Sequence, residues 1–461
     1  MFQLMTIVLF SVIIITIYLS TSKDGIFSPG AAYALSFIPS SLLLLLYIEK
    51  WDVDLGLPTI FVIISGLLIF VITSMVVKKI KFAKLYAIKR AVSSYCSSLT
   101  TISGSSGIAT WKYMFFIVFQ FTTLIFLYQY IVSLVGVGSF AFVMNAIRQK
   151  TVAEYVDLPS WIGIMRSVSI VSGYIWIYLL LSNSFNKRDN LKIKIYLLIN
   201  LCLSVTISLL LGGRGNLISI IVIGWSLYYT LSDTGTGKRN RKMRRRGYIY
   251  AAIIVIFGLV AFQSLGRFLG RELKYSNLDY FAVYLSAPIR NLDTFLKESE
   301  DAISAFQGVS KGLNTNQTLS SILNYVSVRF HMTELYQTRD LFTTFWPDRR
   351  INGYYLGNCY TVYASYLFDG GWLGVFIYTS LHAVCSQILY GFIKKDKDHG
   401  DNKNIQISLI LYCQIWYYTV FSFFDHMFYF NVITIGFFRS IIYLIGIKWF
   451  LYRVSFGKRN I

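Results

Sequence analysis

Eleven apolar runs constrain this chain more than any other feature. They lie at about 2–20, 31–47, 57–77, 113–135, 161–181, 195–211, 216–232, 248–266, 372–393, 405–424 and 431–452. A helix that crosses a bilayer needs roughly 20 predominantly apolar residues. Lipid leaves no backbone group unpaired, and these runs lack the alternation of barrel strands, so helices are the spanning elements they allow. The pattern predicts an all-α, polytopic integral membrane protein of about 11 transmembrane helices. It reads as a single polytopic membrane domain over 1–461. The first run has neither a cationic leader nor a small-residue cleavage site, so it is expected to be a retained span.

The net charge of +21 raises the question of nucleic acid, and its placement answers it. Basic residues crowd short segments between spans: Lys78, Lys79, Lys81, Lys84, Lys89 and Arg90 in one, Lys187, Arg188, Lys192 and Lys194 in another. Lys238, Arg239, Arg241, Lys242, Arg244, Arg245 and Arg246 fill a third. Alternating basic loops mark the cytoplasmic side of an inner-membrane protein and suit contact with anionic lipid, so no nucleic-acid partner is expected. The 78–112, 182–194, 233–247 and 392–404 loops and the C-terminal tail then go to the cytoplasm. Residues 49–56, the 136–160 connection, the turn around Arg214, the 267–371 stretch and the Asp425–His426 turn go to the other face, as does the N-terminus. The expected location is a bacterial inner membrane, with the active face periplasmic.

The 267–371 stretch is 105 residues long, far more than a hairpin needs, and its ten basic residues balance ten acidic ones. Seven of those ten are arginine, on the side the positive-inside bias leaves unexplained. "DYFAVYLSAPIRNLDTFL" and "SSILNYVSVRFHMTELY" carry apolar residues at helical spacing. A long patterned loop is expected to be folded and functional, with amphipathic helices lying on the outer leaflet.

Five cysteines (Cys96, Cys202, Cys359, Cys385, Cys413) show neither a CxxC pair nor ligand spacing, and read as small buried hydrophobes. P-loop, GxGxxG, HExxH and GxSxG motifs are missing, so neither a cofactor nor a metal is expected. Three polar clusters remain. Arg214 stands in "SLLLGGRGNLISII", where Gly213 and Gly215 give backbone freedom and Asn216 is a good N-cap for the next helix. An arginine fork beside a helix N-terminus suits a phosphate or pyrophosphate, and a snorkelling interfacial anchor is the competing reading. Arg329, His331, Glu334, Arg339 and Asp340 fall within twelve residues. There His331 or Glu334 suits a general base, and the rival is a solvated charged face. Asp425 and His426 are wedged among aromatics in "FFDHMFYF", as an ionisable functional pair or as a helix cap. His382 reads as a packed helix residue. Tyr354, Tyr355 and Tyr360 are candidates to stack on sugar rings.

Three segments together resemble the Wzy-type polymerases of bacterial surface polysaccharide, the O-antigen or oligosaccharide repeat-unit polymerases. "LGGRGNL" is similar to that family's Gly-Ser-Arg-Gly turn, with Gly213 at the serine position. "YLSAPIRNLDTFL" resembles the segment after its middle spans. "GNCYTVYASYLFDGGWLGVFIYTSLHAV" is similar to its Asn-x-Tyr-Thr…Asp-x-Gly-x-x-Gly approach to a late span, here Asn358, Tyr360, Thr361, Asp369, Gly371 and Gly374. The match covers roughly the second half of the chain. The resemblance implies a fold similar to GT-C type membrane glycosyltransferases and a metal-independent glycosyl transfer. The growing glycan would pass from undecaprenyl pyrophosphate to the non-reducing end of a new undecaprenyl-pyrophosphate-linked repeat. It also implies that a chain-length regulator docks. Arg214, Arg329, His331, Glu334, Asp425 and His426 are the expected catalytic residues. Gly213, Gly215, Asn216, Arg290, Arg339, Asn358, Tyr360 and Thr361 are expected to bind substrate. Two other functions fit in part: an O-antigen ligase, which shares the donor, and a lipid-linked oligosaccharide flippase. A flippase needs polar residues lining a cavity through several spans, whereas here the charges collect in the long loop.

Overall fold

The computed structural model describes residues 1–22, 24–80, 108–153, 158–185, 190–211, 215–232, 242, 245–253, 276–298, 315, 349–398 and 405–454. Its helices are α1 (Phe2–Ser22), α2 (Pro29–Leu45), α3 (Leu57–Lys79), α4 (Thr110–Val135), α5 (Phe140–Ala153), α6 (Ser160–Phe185), α7 (Leu191–Leu209) and α8 (Gly215–Ser232). There follow α9 (Asn277–Leu285), α10 (Ala287–Glu298), α11 (Thr361–Asp398), α12 (Ile407–Val420), α13 (Met427–Asn431) and α14 (Ile435–Arg453). Strands β1 (Arg349–Ile351) and β2 (Tyr354–Gly357) form one antiparallel hairpin before α11.

Eight of these helices are long and apolar enough to cross a membrane: α1, α3, α4, α6, α7, α8, α11 and α14. The protein is therefore a polytopic, membrane-embedded, mostly helical chain. Two further expected runs, 31–47 and 405–424, form the shorter apolar helices α2 and α12 with its 3-10 turn. The 248–266 run lies mostly outside the described residues. The helix starts follow from local chemistry. Proline sits in the first turn of α2 and α3, where its missing N–H is harmless. Asn190 caps α7 by accepting from the N–H groups of Lys192 and Ile193.

The chain divides into two compact units. Unit 1 comprises Met1–Ile80, Tyr275–Lys394 and Ile415–Phe438. Its core joins residues of α1, α2, α3, α10, α11 and α13, including Tyr33, Phe37, Phe70, Leu292, Tyr363, Tyr366 and Phe428. Residues such as Leu9, Ile13, Phe61 and Ile72 face outward, as lipid-facing sides do. Unit 2 comprises Lys81–Lys274, Lys395–Gln414 and Arg439–Ile461. There α4, α6 and α7 are joined by an internal polar zipper. The Gln120 amide is hydrogen-bonded to the Ser172 and Ser204 hydroxyls at 2.8 and 2.9 Å, and Trp176 Nε1 donates to Ser172 at 3.0 Å. Such bonds tie helices together where burial of apolar surface gives no net drive.

Within unit 1 the connections sort to two ends. At one end Asp24, buried between α1 and α2, is paired with Lys78 of α3 at 2.6 Å and Lys394 of α11 at 3.0 Å. At the other, Arg290 Nε donates to Trp51 O, Asn291 Nδ2 to Cys359 O, Asn352 Nδ2 to Lys50 O and Thr361 N to Phe424 O. The 46–56, 286–298, 349–360 and 421–434 segments thus share one end.

Three expectations need correction. The helices of the 267–371 stretch were expected to lie on a leaflet, but α10 is drawn into unit 1. Ala287, Ile289, Leu292, Phe295 and Leu296 join its core, and Asn291 and Asp293 are fully buried. The reason is Asp293. Its carboxylate accepts from Gly56 N and Thr59 Oγ1, both at 2.7 Å, and so supplies the negative charge that the N-terminus of α3 favours. The 136–160 connection also contains a helix, α5, whose Val143, Met144 and Ile147 are buried in unit 2. Cys202 is exposed rather than buried, and is a free thiol like Cys359, Cys385 and Cys413.

Candidate functional site

The Asp369-Gly370-Gly371 segment interrupts α11. Gly371 has φ 55° and ψ −144°, a backbone conformation essentially confined to glycine. Three residues on, a Cβ at Gly374 would come within 2.2 Å of the Tyr366 carbonyl oxygen. The two glycines therefore let the halves of the helix pass closely across the break. Asp369, buried just before it, accepts from Thr315 N at 2.5 Å. A second break lies between α12 and α13, where a 3-10 turn over Phe421–Phe423 leads into Phe424, Asp425 and His426.

These two breaks meet. His426 Nδ1 lies 2.6 Å from Asp425 Oδ1 and 3.0 Å from Ser365 Oγ, one turn before Asp369. The bond to the carboxylate assigns the ring proton to Nδ1. Nε2 is buried and has no hydrogen-bond partner among the described residues. The His426 side chain is 11% exposed and that of Asp425 35%. Burial opposes charge on the imidazole. The charge and hydrogen bond of Asp425, with the charge of Asp369, outweigh it and raise the histidine above its ordinary value. An imidazole oriented through Nδ1 by a carboxylate, with Nε2 unengaged, is arranged to accept or donate a proton at Nε2. Asp425 does not cap α13 with its side chain. Its carboxylate accepts from His426 N at 2.7 Å, and its carbonyl from Met427 N.

Around this pair the same end of unit 1 is held by ion pairs. Arg349 forms a fork with Glu298 at 2.9 and 2.5 Å, while its Nε donates to Tyr360 Oη at 2.9 Å. Tyr47 and Lys50 both bond to Asp279, at 2.9 and 3.1 Å. Burial works against the Asp279 charge, but bonds from Ser276, Lys50 and Tyr47 hold its carboxyl below the usual range.

The residues expected from sequence fare differently. Asp425 and His426 are brought together, beside Asp369. Thr361 begins α11 with φ 63°, an uncommon value for threonine, and is fully buried. Tyr360 is buried edge-on to Phe295 and bonded to Arg349, so its ring packs rather than presenting a face to sugar. Tyr355, beneath Arg350, keeps an exposed ring, and Tyr354 packs against Trp51. Arg290 is engaged with Trp51 O, Thr294 Oγ1 and Asp293. Asn358 is exposed between β2 and α11. Helix α8 begins at Gly215, so Asn216 sits in its first turn, its carbonyl accepting from Ser219, and is not the N-cap. Gly213, Arg214, Arg329, His331, Glu334 and Arg339 lie outside the described residues.

Ser365 was missed in the sequence, although its i, i+4 spacing to Asp369 puts both on one helical face. The part played by Asp369 beside His426 had no sequence signal, because 57 residues separate them. Among the described residues no group of three or more His, Cys, Asp and Glu side chains is arranged to hold a metal ion. Comparison with family models, with curated proteins and with solved structures returns no match to this chain.

Proposed function

We propose that this protein is a glycosyltransferase that polymerises lipid-linked oligosaccharide repeat units at the periplasmic face of a bacterial inner membrane. The observation that supports it best is the Asp425–His426 pair bonded to Ser365, where two interrupted helices meet and Nε2 has no partner among the described residues. Irregular backbone among apolar spans is tolerated where it is buried in protein or lines a cavity, and ionisable groups there mark function. In the proposed step a hydroxyl at the non-reducing end of the acceptor repeat attacks the anomeric carbon of the donor glycan. The bond from that carbon to the pyrophosphate oxygen breaks. The hydroxyl proton goes to His426 Nε2, and undecaprenyl pyrophosphate leaves with the bonding pair. Arg214, Arg329 and Arg339 are the sequence candidates to neutralise the pyrophosphates. The other carboxylate and histidine of the sequence reading, Glu334 and His331, are competing candidates for the base.

Deletion of the gene, read by gel electrophoresis of surface glycolipid, tests the reading. A lipid core bearing a single repeat unit is expected. A bare core sinks the proposal in favour of ligase or flippase. Arg214→Ala at normal protein level should reproduce the single-repeat phenotype, and Arg214→Lys should restore chain length in part. Full-length chains from Arg214→Ala would return this arginine to the anchor class.

A further inference from the structure

Unit 2 carries a groove that the proposed step does not use. Its volume is about 370 Å³, within the range of small-molecule sites, and its lining is aromatic and aliphatic. Helix α4 contributes Phe115, Phe116 and Phe119, and α6 contributes Val168. Helix α14 contributes Ile442, Gly446 and Phe450, whose i, i+4, i+8 spacing runs along one face for about 12 Å. Gly446 widens the groove at its middle, where a Cβ would meet nothing within 4 Å. Of the eight spans, α14 is the least buried. Phe115 and Ile442 line the groove and are also 49% and 66% exposed, so it opens sideways, where an apolar span meets lipid.

One end of the groove is cationic. Phe450 marks that end, its ring meeting Trp111, Phe115 and Phe116 at 5.7, 5.0 and 5.7 Å. Beside this contact the buried Lys112 donates from Nζ to Leu451 O at 2.6 Å, which engages one of its three N–H groups. Arg453 follows Phe450 by three residues, so it stands in the last turn of α14, one turn beyond the groove on the same face. Its Nε and Nη2 are buried and have no hydrogen-bond partner among the described residues. An arginine that only snorkels puts its guanidinium in water. Neither helix offsets these charges, because 110–135 and 435–453 contain no aspartate or glutamate. A guanidinium fork held from water calls for acceptors, and its geometry suits a phosphate.

We propose that this groove binds one anionic phospholipid, an acyl chain lying along Phe119, Gly446 and Ile442 and the headgroup phosphate at the Lys112 and Arg453 end. The apolar lining offers water no partners, and hydrocarbon in the groove gains the dispersion contacts of its rings. The lateral opening admits a chain from the bilayer. The cations one turn past Phe450 then select the charge of the headgroup, as basic residues at a span end do for anionic lipid. The site lies wholly in unit 2 and is independent of the glycosyl-transfer reading.

Native mass spectrometry of the full chain tests it. Protein stripped of lipid in detergent is reloaded with phosphatidylglycerol, or with phosphatidylcholine carrying the same acyl chains. The parent should hold one phosphatidylglycerol roughly five-fold more tightly than phosphatidylcholine, the effect of a single cation near anionic lipid. Arg453→Gln should remove most of that preference and leave phosphatidylcholine retention unchanged. Gly446→Leu fills open space rather than striking protein, so it should lower retention of both lipids at an unchanged unfolding temperature. Equal retention of the two lipids by the parent would overturn the proposal, as would a Gly446→Leu chain that holds phosphatidylglycerol like the parent. Should the leucine variant fail to fold, an undiminished lipid preference in Arg453→Gln overturns it alone.

Discussion

The two units are built from spans of similar apolarity, and they use their polar residues differently. In unit 2 amides and hydroxyls join α4, α6 and α7, Gln120 bonding to Ser172 and Ser204 and Asn200 Nδ2 donating to the backbone carbonyl of Tyr113 at 3.2 Å, while the buried Lys112 at the start of α4 donates to the Leu451 carbonyl. The helices there run unbroken. In unit 1 two helices are interrupted, at Gly370–Gly371 and between α12 and α13, and a carboxylate–imidazole pair stands where the interruptions meet. Continuous helices with satisfied hydroxyls serve as scaffold. Helices that break expose backbone and ionisable groups that a reaction can use. Hydropathy alone does not separate the two.

The largest test of that contrast is His426→Ala. Losing a positioned proton acceptor should lower the rate of repeat-unit polymerisation about 10²–10⁴-fold, measured with purified lipid-linked repeats, while the protein remains folded. Unchanged turnover would remove His426 as the base and leave Glu334 and His331 as the candidates. Gly371→Ala comes next. At φ 55° and ψ −144° an alanine is strained by about 1–3 kcal/mol, so the thermal unfolding midpoint should fall and activity with it. A midpoint equal to the parent would mean the helix break is not required.

Asp425→Asn sharpens the comparison through pH. The folded His426 is raised, so its charged pair stabilises the protein fully below the unfolded value near 6.5, and that contribution is lost as pH rises through the folded value. Activity that needs neutral Nε2 should rise over the same interval. Removing the Asp425 charge leaves burial dominant, so the rise in a pH–rate profile should move to lower pH, with a smaller maximum. A profile that keeps its midpoint would exclude His426 as the titrating group.

In unit 2, Gln120→Leu should lower stability by about 0.6–1.7 kcal/mol for each bond lost and leave turnover intact, read as melting temperature against activity. A selective loss of activity would show that unit 2 is more than scaffold. Lys50→Ala, which removes an exposed partner of Asp279, should have the smallest effect. Near neutral pH its melting temperature should match the parent. On acidification both lose stability as pH falls through the depressed folded value of Asp279.

Much of the fold was legible in the sequence because lipid imposes a simple demand: long apolar runs become helices. The runs at 2–20, 57–77, 113–135, 161–181, 195–211 and 216–232 match α1, α3, α4, α6, α7 and α8 closely. The placing of α10 was not legible. Its charged residues suggested a surface helix, and only the long-range bonds of Asp293 to Gly56 and Thr59 explain why it is buried. Within the candidate site, Asp425 and His426 were visible as adjacent ionisable groups in an aromatic turn.

By itself, then, the sequence determined that this chain is a helical membrane protein, where most of its spans run, and which short segments carry ionisable groups among apolar residues. Spacing and composition are local properties, and the cost of unpaired backbone in lipid turns them directly into helices. Only the tertiary structure decided that Ser365 bonds to His426, that Tyr360 and Arg290 are bonded to neighbours within unit 1, and that His382 packs on Phe428 in the core that also holds Tyr366. Those facts depend on which helices pack together across dozens to hundreds of residues, and close packing selects such neighbours through shape and hydrogen bonding that no local pattern encodes.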